Sequence, residues 1–282
     1  MSPGAVAQPT PAAASEDVKT KQEHEKQHIH SDERGLKALS HGGIPIPGIP
    51  SFTSHELKRQ WQLEHMAGAF RIWARQGYTE GLSGHISVRD PEFTDAFWTN
   101  PLAVHFGLLK ASDMILLRLD GSVIGGNRSR PANAAGFLIH AAVHKRRPDV
   151  HAICHAHTIY GKTWSSFARP LEMLNQDVSE EEGELIATAL GEGKAAILMN
   201  HGLLSVGGTV DEAAYLFGCL ERCCQAQLLA EAAAANGVEK VYISDEQAAY
   251  NFAVESDPEV LYCEFQPDYE YEDVMCAGAF KK

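Results

Sequence analysis

Two histidines stand two residues apart, His155 and His157, inside "VHAICHAHTIYGK" (150–162), a run that otherwise reads as a buried strand. In a strand, residues i and i+2 share a face, so the two imidazoles point the same way and lie close together. Two neutral imidazoles held by a rigid sheet suit a borderline divalent metal. Without one, the pair repels when protonated and costs desolvation when buried. His201 in "MNHGLL" is a third candidate, at a strand end beside Gly202, where backbone can approach closely. Three protein ligands and an open fourth position describe a catalytic rather than a structural zinc site. The H-x-H spacing alone also fits a pair of structural, hydrogen-bonded histidines. Tyr160 and Lys162, just past the strand, are candidates to donate to a developing oxyanion, although an ordinary surface lysine is the plainer reading of Lys162. His105 and His140 read as structural.

The elements that must position these groups follow from periodicity and punctuation. Thr53 and Glu56 form a T-x-x-E capping box, and Leu57, Trp61, Leu63, Met66, Phe70 and Ile72 follow at helical spacing until Gly77. "LSGHISVRD" alternates as a strand, "FWTN" and "MILLRLDGSVIG" read as further strands, and the latter turns at Asp120-Gly121. Helices are expected over "NAAGFLIHAAVHKRR", "EEGELIATALG", "TVDEAAYLFGCLERCCQAQLLAEAAAANG" and "SDEQAAYNFAVES". "DVHAICHAHTI" is a strand, and "AAILMNHGLLSVG" a strand pair. Strands and helices alternating in one chain predict an α/β layered domain.

The chain has 282 residues, 44% hydrophobic and 22% charged, enough for a substantial core. Its formal net charge of −13 argues against a nucleic-acid partner or an anionic membrane surface. No apolar run approaches the length of a membrane span, and the N-terminus lacks a signal-peptide pattern. Six cysteines are scattered with neither zinc-knuckle nor disulfide spacing, which fits a reducing, cytoplasmic setting. Residues 1–50, poor in large apolar side chains, are expected to be a disordered tail and linker ending in "GIPIPGIP". The domain is placed at 51–265, and 266–282, acidic and aromatic, is read as a C-terminal tail.

"GLSGHISVRDPE", "FWTNPLAVHF", "SDMILLRLDGSVIGG", "RPDVHAICHAHTIYGKTWS", "NHGLLSVGGTVDEAAY" and "LERCCQAQLLAEAA" occur in the order found in the class II aldolase/adducin family. The chain resembles that family over about residues 55–265. The resemblance implies a three-layer α/β/α fold around a mainly antiparallel sheet. It also implies a homotetramer with sites at subunit interfaces, and a divalent metal held by His155, His157 and His201. Zinc is the first choice of metal, with Fe(II) the other.

The sequence departs from the sugar-phosphate aldolases of the family at their metal-binding, acid/base glutamate, where Ala134, Ala135 and Gly136 stand instead. The phosphate cradle is altered too. A G-N step becomes Gly84-His85, the residues after Asn100-Pro101 are Leu102-Ala103, and two serines become Ala132 and Asn133. Loops that bind phosphate through backbone N–H groups work best with glycine, so a phosphorylated substrate is disfavoured. Ser83, Gly84, His85, Ser87, Asn100 and Asn133 are left as candidates to bind hydroxyl or carboxylate oxygens. Related epimerases and dehydratases have an acid after the H-x-H strand, and Asp177 in "EMLNQDVS" matches it, with Glu172 second.

The expected activity is that of a metal-dependent lyase on a small hydroxy-carbonyl substrate: aldol cleavage, decarboxylation or dehydration through a metal-stabilised enediolate. The alternatives are an iron-dependent oxygenase or decarboxylase on the same scaffold, and a non-catalytic, adducin-like assembly or cytoskeletal-binding module.

Overall fold

The computed structural model describes residues 36, 46–169, 188 and 190–282. Asp177, Glu172 and nearly all of the helix expected over "EEGELIATALG" lie outside them.

Helix α1 (His55–Gln76) begins where the Ser54 hydroxyl accepts from the Leu57 N–H, and it ends at Gly77, whose φ of 81° returns its N–H to the last turn. The cap is therefore Ser54 rather than Thr53. Seven strands follow: β1 (His85–Arg89), β2 (Ala96–Thr99), β3 (Ile115–Arg118), β4 (Val123–Gly126), β5 (Ala152–Ala156), β6 (Ala195–Leu198) and β7 (Gly202–Gly207). They form one sheet in the order β4-β3-β2-β1-β5-β7-β6, every neighbouring pair antiparallel. The helices between and after them are α2 (Ala134–Arg146), α3 (Ile159–Ser165), α4 (Val210–Ala234), α5 (Asp245–Glu255) and α6 (Pro258–Cys276).

Strand alternation divides the sheet residues between two cores. Ile86, Val88, Cys154 and Leu203 pack on one face with Met66, Phe70 and Trp73 of α1 and Phe217 and Leu220 of α4. Ile153, Leu204 and Val206 pack on the other face with Val143 of α2, and Phe97 and Leu117 with Ala141 of α2. Helices thus cover both faces of an antiparallel sheet, the expected three-layer α/β/α arrangement. His155 shares its face with Ile153, so it looks toward α2.

The stretch read as a tail is not one. Residues 258–276 are helix α6, in which Phe265 and Tyr269 are buried, and Phe280 beyond it is fully buried. Tyr269 stacks on His65 of α1 with ring centroids 4.1 Å apart, and His65 Nδ1 lies 2.6 Å from the Asp211 carboxylate of α4. Pro267 inside the helix, and acids on its outer side, mask the apolar face formed by 261, 262, 265 and 269. Among the described residues no helix is long and apolar enough to cross a membrane.

Candidate metal centre

His155 is buried on β5, where its Nδ1 donates to the carbonyl of Leu203 on β7 at 2.8 Å. That bond fixes the ring and leaves Nε2 free as a ligand atom. His157 stands just past the strand end. His201 lies in the turn between β6 and β7, after Asn200 at φ 54°. A Cβ on Gly202 would meet the Ala156 carbonyl oxygen at 2.8 Å and the His157 ring at 3.3 Å, so only glycine lets this turn press against the end of β5. The result is three rings with centroids 4.6–5.1 Å apart. One nitrogen from each lies within 4.8 Å of the other two.

Burial, and then the charges His85, His201 and His157 would carry, push the His155 pKa well below the ordinary histidine value. Burial and then His201 lower that of His157. Both imidazoles are therefore neutral at pH 7, the form that ligates a metal. Three converging nitrogen donors, one pinned by a carbonyl, fit a borderline divalent cation.

Two carboxylates that the sequence reading did not single out support the triad. Glu80, in the loop after α1, has Oε2 3.5 Å from His157 Nδ1 and Oε1 2.5 Å from Lys162 Nζ. The Lys162 hydrogen bond is the first cause of its lowered pKa, so Glu80 is ionised at neutral pH. Buried Glu221 of α4 accepts from Thr158 Oγ1 at 2.5 Å, Tyr160 N–H at 3.0 Å and Gly161 N–H at 2.7 Å. It anchors the start of α3 directly behind His157. No sequence signal links either acid to the histidines, because both act across large chain separations.

The predicted substrate residues divide. β1 opposes β5 with His85 paired to His155, so Ser83, Gly84 and His85 enter the sheet at the end that carries the histidine triad. Gly84, at φ 96°, passes so close that a Cβ would meet the Phe106 ring at 2.8 Å. Asn100 ends β2 at the same edge, and the Pro101–Ala132 bridge brings Asn133 there too. The Asn133 side-chain oxygen caps α2, accepting from the Gly136 N–H at 3.0 Å. Ser87 does not belong with this group. It is fully buried, with its hydroxyl 2.6 Å from His140 Nδ1 and 2.8 Å from His144 Nε2 of α2. Ser87 shares the face of His85 but stands opposite Ile153, two residues deeper along β5, where α2 covers it beyond reach of a ligand. Tyr160 is likewise turned away, its hydroxyl accepting from Gln225 of α4 at 3.0 Å. Asp177 lies outside the described residues.

His85 itself stacks on His155, centroids 4.9 Å apart, and its Nδ1 lies 2.8 Å from His140 Nε2. A Cβ on Gly136 would fall 2.4 Å from its Cδ2. The His85 ring thus fills the space beside the position where the aldolases carry their glutamate. His140, read from sequence as structural, is the group that holds it. The H-x-x-x-H spacing of His140 and His144 along one helix face was the available signal.

A separate cavity of about 720 Å³ opens at the other end of β5 and β7, lined in part by Lys58, Trp61, Arg147, Asp149, Lys194 and Glu212. Its Arg147 and Lys194 are paired with Asp149 and Glu212.

Residues 64–228 match the family model described as "Class II Aldolase and Adducin N-terminal domain". The chain is 42% identical to the meiotically up-regulated gene 14 protein of Schizosaccharomyces pombe, over 83% of this chain and 96% of that one. It is 41% identical to the 4-hydroxy-3-prenylphenylpyruvate oxygenase/4-hydroxy-3-prenylbenzoate synthase of Streptomyces roseochromogenus, over 65% of this chain and 73% of that one. Among solved structures, L-fuculose 1-phosphate aldolase from Glaciozyma antarctica superposes with a TM-score of 0.79 at 40% identity, covering 83% of this chain and 97% of that one. By its fold, its histidine triad and these likenesses, the chain belongs to the class II aldolase and adducin family.

Proposed function

We propose that this protein is a divalent-metal-dependent lyase acting on a small hydroxy-carbonyl compound, with His155, His157 and His201 as the metal ligands and zinc as the resident ion. One observation carries the proposal: three imidazoles from two strand ends converge with ligand atoms within 4.8 Å of one another. When bound, the metal supplies Lewis-acid polarisation of adjacent substrate oxygens. The chain's own residues do the rest. Leu203 and Glu80 orient two of the ligand rings, and Glu221 braces the backbone that follows them. Ser83, Gly84, His85, Asn100 and Asn133 form the rim on which substrate oxygens rest. Proton transfer is assigned to Asp177, with Glu80 the carboxylate that the described residues place beside the triad. A homotetramer is part of the same proposal.

The absence of a carboxylate at Gly136 favours a second reading, iron-dependent oxygenase or decarboxylase chemistry, as the name of the Streptomyces relative suggests for that protein. Elemental analysis of untagged protein purified without chelator tests both, beside a His155/His157/His201→Ala control. About one zinc per chain, lost in the control, supports the lyase. Iron at that level moves the assignment to the oxygenase. No metal in either protein after reconstitution would leave the adducin-like binding module.

A further inference from the structure

The cavity at the other end of β5 and β7 is built by side chains that the triad does not use. Residues 46–54 cross the first two turns of α6, where the Ile49 N–H donates to Glu259 Oε2 at 2.7 Å and the Pro47 carbonyl accepts from Cys263 Sγ at 3.4 Å. That crossing brings Ile49 and Phe52 into the cavity wall with Trp61 of α1, Val150 and Val206 at the sheet end, and Pro258. The Phe52 and Trp61 rings lie with centroids 5.3 Å apart. The volume of about 720 Å³ falls within the range of about 300–1,000 Å³ that small-molecule sites occupy.

The charged side chains of this lining do not balance. Its two carboxylates are already matched. Arg147 Nη2 lies 2.7 Å from Asp149 Oδ2, and its Nη1 donates to the carbonyls of Gly191 and Gly193. Lys194 Nζ lies 2.6 Å from Glu212 Oε1, and the other oxygen of Glu212 accepts from the Gly208 N–H at 2.8 Å. Lys58 is left over. It is half-buried on α1, one turn before Trp61, and among the described residues its ammonium forms neither an ion pair nor a hydrogen bond. Residues i and i+3 share one side of a helix, so the cation and the indole line the cavity together. With histidine counted neutral, three cations against two carboxylates leave the lining one positive charge in excess, in a chain whose net charge is −13.

We propose that this cavity is a second ligand site, for a monocarboxylate with an apolar, ring-bearing body. The carboxylate pairs with Lys58, and the body lies against Phe52, Trp61 and Val206. One ammonium matches one negative charge, whereas a phosphate monoester brings about −1.5 to −2. An inorganic anion would leave the apolar wall unused. A partly desolvated ion pair is stronger than one in open water, which makes Lys58 the discriminating contact. Ala152 pairs with Gly207 at the cavity end and Ala156 with Leu203 at the triad end, a separation of about 13 Å along β5. The site therefore does not rest on the reading of the metal centre.

The test is a titration of the full-length, ¹⁵N-tryptophan-labelled protein followed by its four indole N–H signals, with Trp61→Phe identifying that of Trp61. The probes are 2-naphthoate, its neutral isostere 2-naphthamide, and inorganic phosphate. The expected result is a saturable shift of the Trp61 signal by 2-naphthoate at millimolar concentration or below, with a Kd about 10-fold lower than that of 2-naphthamide. Phosphate is expected to leave Trp61 unmoved. Lys58→Met is expected to remove the preference for the carboxylate with little change in 2-naphthamide binding, and Lys58→Arg to keep it. Equal affinity for the two naphthalenes, or a preference that survives Lys58→Met, overturns the pairing with Lys58. Should Lys58→Met fail to fold, the wild-type ratio decides alone. A phosphate-induced shift as large as that of 2-naphthoate overturns the apolar half of the proposal. No Trp61 shift with either naphthalene overturns the site. A shift at Trp164 of α3, just beyond His157, without one at Trp61 assigns the probe to the triad end and overturns it as well.

Discussion

Replacing Gly136 with alanine separates helix propensity from the packing of the site. Gly136 lies in the first turn of α2, where alanine in place of glycine ordinarily stabilises by about 1 kcal/mol. Here the added methyl would sit 2.4 Å from His85 Cδ2, 2.5 Å from Nε2 and 2.8 Å from Cγ. Ordinary carbon contacts begin near 3.5 Å, so the ring must move by about 1 Å. It has little room to do so, being stacked on His155 and held at 2.8 Å by His140. Overpacking of this kind costs about 1–3 kcal/mol. Loosening a buried hydrogen bond costs about another 1–3 kcal/mol. After the helix gain, Gly136→Ala is expected to destabilise by about 1–5 kcal/mol, a fall in Tm of about 2–20 °C for a chain of this size. The assay is urea unfolding of the metal-free protein in a double-mutant cycle with His85→Ala. With the ring gone, the same methyl is expected to be neutral or stabilising. An equal effect in both backgrounds, or a stabilised Gly136→Ala single variant, would refute the contact between Gly136 and the His85 ring.

Glu221→Gln keeps the shape of the side chain but removes the charge that three donors share, and is expected to cost about 1–3 kcal/mol. It should also weaken zinc binding, so an unchanged Tm together with an unchanged zinc Kd would show that α3 needs no anchor. Glu80→Gln is expected to weaken metal affinity about 10-fold through His157. Asp177→Asn should leave affinity alone and reduce turnover, and isothermal titration beside single-turnover kinetics distinguishes the two. Acid should destabilise the metal-free protein. Burial sets the folded-state pKa values of His85, His140, His144 and His155 well below 6.5, so the unfolded chain binds more protons as pH falls through that value. Stability is then full above about pH 7 and falls by on the order of 1 kcal/mol per histidine per pH unit below 6. A stability flat between pH 7 and pH 5 in chemical denaturation would contradict that burial.

The sequence by itself carried the histidine triad. His155 and His157 are tied by the period of a strand, and His201 by the glycine that follows it, both local rules that need no knowledge of the fold. The existence of α2 and α4, the hairpin at Asp120-Gly121 and the order of family motifs were legible for the same reason. Three things were not. Ser87 looked like a rim residue until α2 packed over its part of β1 and took its hydroxyl into hydrogen bonds with His140 and His144. The C-terminal helix was hidden by Pro267 and a run of acids, because only the presence of α1 and α4 gives Phe265, Tyr269 and Phe280 somewhere to be buried. Glu80, Glu221 and His140 gained their roles from partners 53 to 82 positions away. Periodicity reports which face a residue lies on within its own element. Which side chain meets it across the sheet depends on strand order and register, and those are settled only when the whole chain closes its core.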